Sequence, residues 1–155
     1  MANARRDVRE LILASRRAAA GHIGNILRAP QLNRELVFRE VRAYILAKFH
    51  LSEADCATED FAALAELSLA KSMRISPELV EEFDLARSCD GVSSKTAKMV
   101  LLFVALQRDL DIRFRPMDTA EAETLTDIGA LVWEQLEARK PPPLPQERKS
   151  SSCIR

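Results

Sequence analysis

The chain has 155 residues, 23 basic and 23 acidic side chains, and 47% apolar residues. That length suits one domain with a modest core, while the composition excludes a disordered chain and the zero net charge a global basic field for nucleic acid or membrane. Glycine and proline are sparse, at 4 and 7, and Ala, Leu, Glu and Arg dominate, which predicts an all-α fold.

Residues 5–20, "RRDVRELILASRRAAA", place Val8, Leu11, Ile12 and Ser15 on one helical face and arginines on the other. The expected role is a basic helix packed on the domain with its charged face in solvent, and contact with an anionic membrane or an acidic partner is the alternative. "GHIGNILRAPQLN" contains two glycines and Pro30 and reads as a linker, so residues 1–32 form a basic N-terminal helix and linker. The start lacks the apolar run of a secretory signal, and Asp7 and Glu10 are unlike a transit peptide.

"NRELVFREVRAYILAKFHL" is the clearest helix, with Asn33 as cap and Leu36, Val37, Val41, Tyr44, Ile45 and Phe49 in one stripe. "SEADCATEDF" is a polar loop with Ser52 or Thr58 as caps. "DFAALAELSLAKSMRI" and "SPELVEEFDLARSC" are two further helices, the second opened by Ser76 and Pro77. Asp90-Gly91 breaks the chain. Residues 93–109 form the second strong helix, with Ala97, Val100, Leu101, Val104 and Leu110 at helical spacing and Leu102, Phe103 and Leu106 widening the face. "DIRFRPMDTAEAE" is extended with at most one short helical turn. "TLTDIGALVWEQLEAR" is the last helix, with Thr126 as cap and Leu125, Ile128, Leu131, Val132 and Leu136 inward. The expected core includes Val41, Ile45, Phe61, Val100, Val104, Leu110, Ile112, Ile128 and Leu131.

The tail, 139–155, is proline-rich and then disordered by composition. Arg139, Pro142 and Pro145 have the spacing of a ligand for SH3-type grooves, but the expected reading is a stiff solvated tail. Cys56, Cys89 and Cys153 are too widely spaced for a disulfide framework or a zinc pattern. Reduced thiols of a cytoplasmic protein are the expected reading. His22 and His50 have no metal-ligand spacing, and Cys153 does not fit a prenylation box.

In the order of its elements the chain resembles the acyl carrier protein family over roughly residues 34–137. "LVFREVRAYILAKFHLSEADCATEDF" is similar to that family's first helix and loop. "ALQRDLDIRFRPMDTAEAETLTDIGALVWEQL" is similar to its stretch from helix two to the last helix. The resemblance implies an acyl-carrier-like helical domain over 33–138, with a helical insertion at about 61–90 before helix two. In the family a Gly-x-Asp-Ser-Leu motif opens helix two, and its serine carries 4′-phosphopantetheine. Here Gly91-Val92-Ser93-Ser94-Lys95 stands in that place, with Ser93 for the aspartate and Lys95 for the leucine. Counting back from "LDI" instead puts Thr96 in the serine's place. Ser94 is the first candidate for the arm, with Ser93 and Thr96 as alternatives.

The function implied is that of a divergent carrier, served by a phosphopantetheinyl transferase and acyl-handling enzymes and not an enzyme itself. A phosphodiester at Ser94 would meet the first-turn backbone N–H groups, the positive end of the helix dipole and Lys95. The helix carries Lys95, Lys98 and Arg108 where family members are acidic, so its partners should offer acidic or apolar surfaces. An acyl-carrier-like interaction module without a prosthetic group, in which Ser93 is simply a cap, is the second reading. A third rests on "GVSSKTAKMVL", which resembles the helix-hairpin-helix of DNA-repair glycosylases, with Ser93 where that motif has a second glycine. Neutral net charge speaks against nucleic acid.

Overall fold

The computed structural model describes residues 2–80, 82 and 92–139. Six α-helices are described: α1 (Ala2–Leu27), α2 (Arg34–Phe49), α3 (Phe61–Met73), α4 (Ser94–Leu110), α5 (Pro116–Glu121) and α6 (Leu125–Ala138). Single 3-10 turns occur at Glu53–Asp55 and Pro77–Leu79. Among the described residues the fold is all-α, as composition predicts.

The first helix corrects the expected boundary at residue 20. α1 continues through Gly21 and Gly24 to Leu27, so only residues 28–33 connect it to α2. A helical glycine costs about 1 kcal/mol relative to alanine. Burying an isoleucine contributes about 1.5–3 kcal/mol, and Ala19, Ile23 and Ile26 are all buried. Packing against α2 therefore outweighs the two glycines. Glu40, on α2, locks the contact. Its carboxylate accepts hydrogen bonds from His22 Nδ1 at 2.8 Å, Asn25 Nδ2 at 3.0 Å and the Arg39 guanidinium at 3.0 and 3.1 Å.

The caps follow the chemistry of the short polar residues. Asn33 Oδ1 accepts from Leu36 N at 2.8 Å, as expected. α3 is capped by Asp60, whose Oδ1 accepts from Ala63 N at 2.7 Å, and not by Ser52 or Thr58. Ser52 instead opens the 3-10 turn, with its N–H and hydroxyl donating to Asp55 at 2.8 and 2.7 Å. The cap of α6 lies two residues before the expected Thr126. Thr124 and Asp127 form a reciprocal capping box there, and an antiparallel bridge between Asp60 and Thr124 ties the starts of α3 and α6 together. His50, Arg74 and Asp111 end α2, α3 and α4 in the left-handed region, with φ of 54°, 57° and 52°.

α2 is the centre of the fold, packed between α1 and α6, and α3 packs on α4. Tyr44, Ile45, Val37 and Val41 of α2 meet Phe61 and Leu64 of α3, Leu106 and Leu110 of α4, and Ile128 and Val132 of α6 in the core. Phe49, Phe61, Phe103 and Phe114 form a continuous chain of rings, with successive centroids 5.9, 5.7 and 5.6 Å apart. Gly129 permits the close α2–α6 crossing, since a Cβ there would lie 3.2 Å from the Phe38 ring.

Val41, Ile45, Phe61, Leu110, Ile112 and Ile128 are buried as expected, and Leu131 is half-buried. Val100 and Val104 are not core: they are 55% and 50% exposed. Residues 99–106, "MVLLFVAL", are apolar on every side, so periodicity alone does not choose the inward face. The face that packs is Leu102, Phe103, Leu106 and Leu110.

The segment expected to be helical at 61–90 forms α3, which lies beside the start of α4. Much of the second expected helix, including 83–90, falls outside the described residues, as do Gly91 and the proline-rich tail from 140.

Candidate functional site

Ser93 is the N-cap of α4. Its backbone is extended, and its Oγ accepts from Thr96 N at 3.0 Å. The same Oγ lies 2.9 Å from Thr96 Oγ1. Two of the three candidate hydroxyls are therefore engaged with one another. Ser94 is the first helical residue and is exposed. A hydroxyl here stands at the positive end of a 17-residue helix, where phosphate is favoured by the dipole and the first-turn amides. Lys95 is half-buried, with Nζ 3.6 Å from Glu66 of α3, so the cation expected to help is shared with an acid.

Lys98 turns away from this end. Its Nζ lies 5.1 Å from the centre of the Phe49 ring, and burial holds the amine's pKa below its ordinary value. Further along α4, Asp109 accepts from Tyr44 Oη and Arg108 Nε, each at 2.8 Å, with Lys48 Nζ at 3.8 Å. Burial raises the Asp109 carboxyl, but the bonds from Arg108 and Tyr44 outweigh it and hold the group below the usual carboxylate range. Burial, reinforced by Asp109, pushes the Tyr44 phenol far up. The one acid on this part of α4 is thus internally neutralised, and the face presents positive charge.

An open groove of 830 Å³ runs between α1, the end of α2 and α4. Ile23, Phe49 and Leu102 line it along with Leu101, and Arg16, Lys48, Lys98 and Arg108 bring charge to it. Sequence reasoning missed this feature because its cations come from three separate helices. The basic α1 and the lysines of α4 were both visible, but nothing in their spacing joins them.

Among the described residues no group of three or more His, Cys, Asp or Glu side chains is placed to hold a metal ion. His22 serves the Glu40 cluster. Cys56 donates to Thr58 O at 3.3 Å and accepts from Arg42 at 3.2 Å, while Cys89 and Cys153 lie outside the described residues. No described helix is long and apolar enough to cross a membrane.

No family model, curated protein or solved structure matches the chain.

Proposed function

We propose that the chain is a divergent acyl-carrier-like domain in which Ser94 bears a 4′-phosphopantetheine arm. The observation that carries this reading is the position of Ser94 as the exposed first residue of α4, with Ser93 as its cap. In the motif Gly-x-Asp-Ser-Leu, aspartate precedes the serine at the helix start. Asp and Ser are interchangeable N-caps, so Ser93 does the aspartate's structural work and leaves Ser94 in the serine's register. The exposure of Ser94 at the first helical position supports the same choice over the register counted from "LDI". Under this reading α2, α4, α5 and α6 form the carrier bundle, and α1 and α3 are additions to it.

The residues present fit such an arm. Ser94 Oγ would take the phosphodiester, the N-terminus of α4 would stabilise its negative charge, and Lys95 would contribute a cation partly offset by Glu66. The bound arm supplies a thiol that holds an acyl or related group as a thioester. The partners are then a phosphopantetheinyl transferase and acyl-handling enzymes. Incubating the purified chain with coenzyme A and a broad-specificity transferase tests the reading. The expected result is a single mass gain the size of 4′-phosphopantetheine, with adenosine 3′,5′-bisphosphate released.

The second reading, an interaction module with no prosthetic group, is favoured by the Lys95–Glu66 pair, which gives Lys95 a structural role. The helix-hairpin-helix reading is weakened by the same pair, because Glu66 brings negative charge to the place where a DNA phosphate would sit.

A further inference from the structure

The groove between α1, α2 and α4 has a charge pattern that the chain as a whole lacks. Net charge is zero, yet four cations and one acid line this surface. That acid, Asp109, already receives Tyr44 and Arg108. Among the described residues no carboxylate pairs with Arg16 or Lys98, and Lys98 is a half-buried cation held over a phenyl ring. A charge in that setting gains from an incoming counter-charge that also excludes water. The apolar part of the surface is continuous with the outside of α4, where Leu101 is 66% exposed beside Val100 and Val104.

We propose that this groove docks a short acidic amphipathic helix of a partner protein. Its apolar stripe would cover Ala20, Leu101 and Ala105, and its carboxylates would meet Arg16 and Lys98. The lining spans residues 16–23 of α1 and 98–109 of α4, about 10 Å and 16 Å at a helical rise of 1.5 Å per residue. That length accommodates two to three turns of a helix. The concave shape of the groove, about 830 Å³ between three helices, distinguishes this occupant from an anionic membrane, because a helix can enter it and a flat bilayer cannot follow it. The chain's own tail is a poor occupant: Arg139, Lys140, Arg148, Lys149 and Arg155 outnumber Glu147. The proposal does not depend on modification of Ser94.

The test uses the full chain and labelled helix-forming peptides of about 14 residues that share one leucine stripe and carry Glu, Ser or Lys elsewhere. Fluorescence anisotropy is read at low and high salt, with phosphatidylglycerol vesicles in parallel. The Glu peptide should bind roughly ten-fold more tightly than the Lys peptide, weaken with salt, and lose roughly ten-fold on Arg16→Glu and on Leu101→Asp. Both substitutions are at the surface, and circular dichroism checks that the helices persist. Equal binding of Glu and Lys peptides overturns the proposal. So does absence of peptide binding, Glu-peptide binding that both variants leave intact, or binding to vesicles alone.

Discussion

Replacing Glu40 by alanine should loosen α1 from the rest of the domain. The Glu40 side chain is only 7% exposed, and its carboxylate is the common acceptor for donors on α1 and α2. Hydrogen bonds to a charged group contribute about 1.5–3 kcal/mol each. The Arg39 side chain is 65% exposed, so its pair adds little. His22 and Asn25 carry the energy, and Asn25 regains water in part when α1 loosens. The net loss should be about 2–4 kcal/mol, read from urea unfolding. Amide exchange should rise first at residues 19–27. The pH dependence has a definite sign. Burial raises the Glu40 carboxyl, but bonds from Asn25, His22 and Arg39 outweigh it and set it below its ordinary value of 4.5. A depressed folded value means the stabilisation is complete above the unfolded value and fades as pH falls through the folded one. The gap between the native chain and Glu40→Gln should therefore be widest near neutrality and shrink below about pH 4.5. A loss under about 0.5 kcal/mol, or a gap that does not change on acidification, would refute the reasoning.

Gly21→Ala should raise stability by about 0.5–1 kcal/mol in thermal or urea unfolding, because a Cβ at Gly21 meets nothing within 4 Å; a loss would mean the helix does not run through this position. Val104→Asp should change stability by under about 1 kcal/mol, whereas Leu106→Ala, at a fully buried position on the same helix, should cost about 2–5 kcal/mol. Equal effects would show that the inward face of α4 is wrongly assigned.

The sequence carries α2 and α6 clearly, because each pairs an apolar stripe with a short polar residue at its start. Asn33 is legible as a cap because nothing competes with it. Around Thr124 and Thr126 two threonines compete, and the choice falls to Thr124 because Asp127 stands three residues later to complete the box. The end of α1 is hidden by Gly21 and Gly24, whose local cost is visible while the compensating burial of Ile23 and Ile26 is tertiary. The face of α4 is illegible for the opposite reason: an all-round apolar run gives periodicity nothing to select. At the candidate site, the helix start and its three hydroxyls can be read from "GVSSKTAK", but not which hydroxyl is tied to which. That depends on the cap rotamer, through which Ser93 and Thr96 meet. The groove is a product of assembly, since Arg16, Lys48 and Lys98 approach one another only after α1 packs on α2.

The most direct test of the carrier proposal is intact-mass and fragment analysis of the chain and its Ser94→Ala and Thr96→Ala variants after treatment with coenzyme A and several transferases. The account predicts one phosphopantetheine-sized gain that maps to Ser94, persists in Thr96→Ala and vanishes in Ser94→Ala. A gain that persists in Ser94→Ala and vanishes in Thr96→Ala would contradict the assigned site. A folded chain that none of the transferases modifies would contradict the carrier function itself.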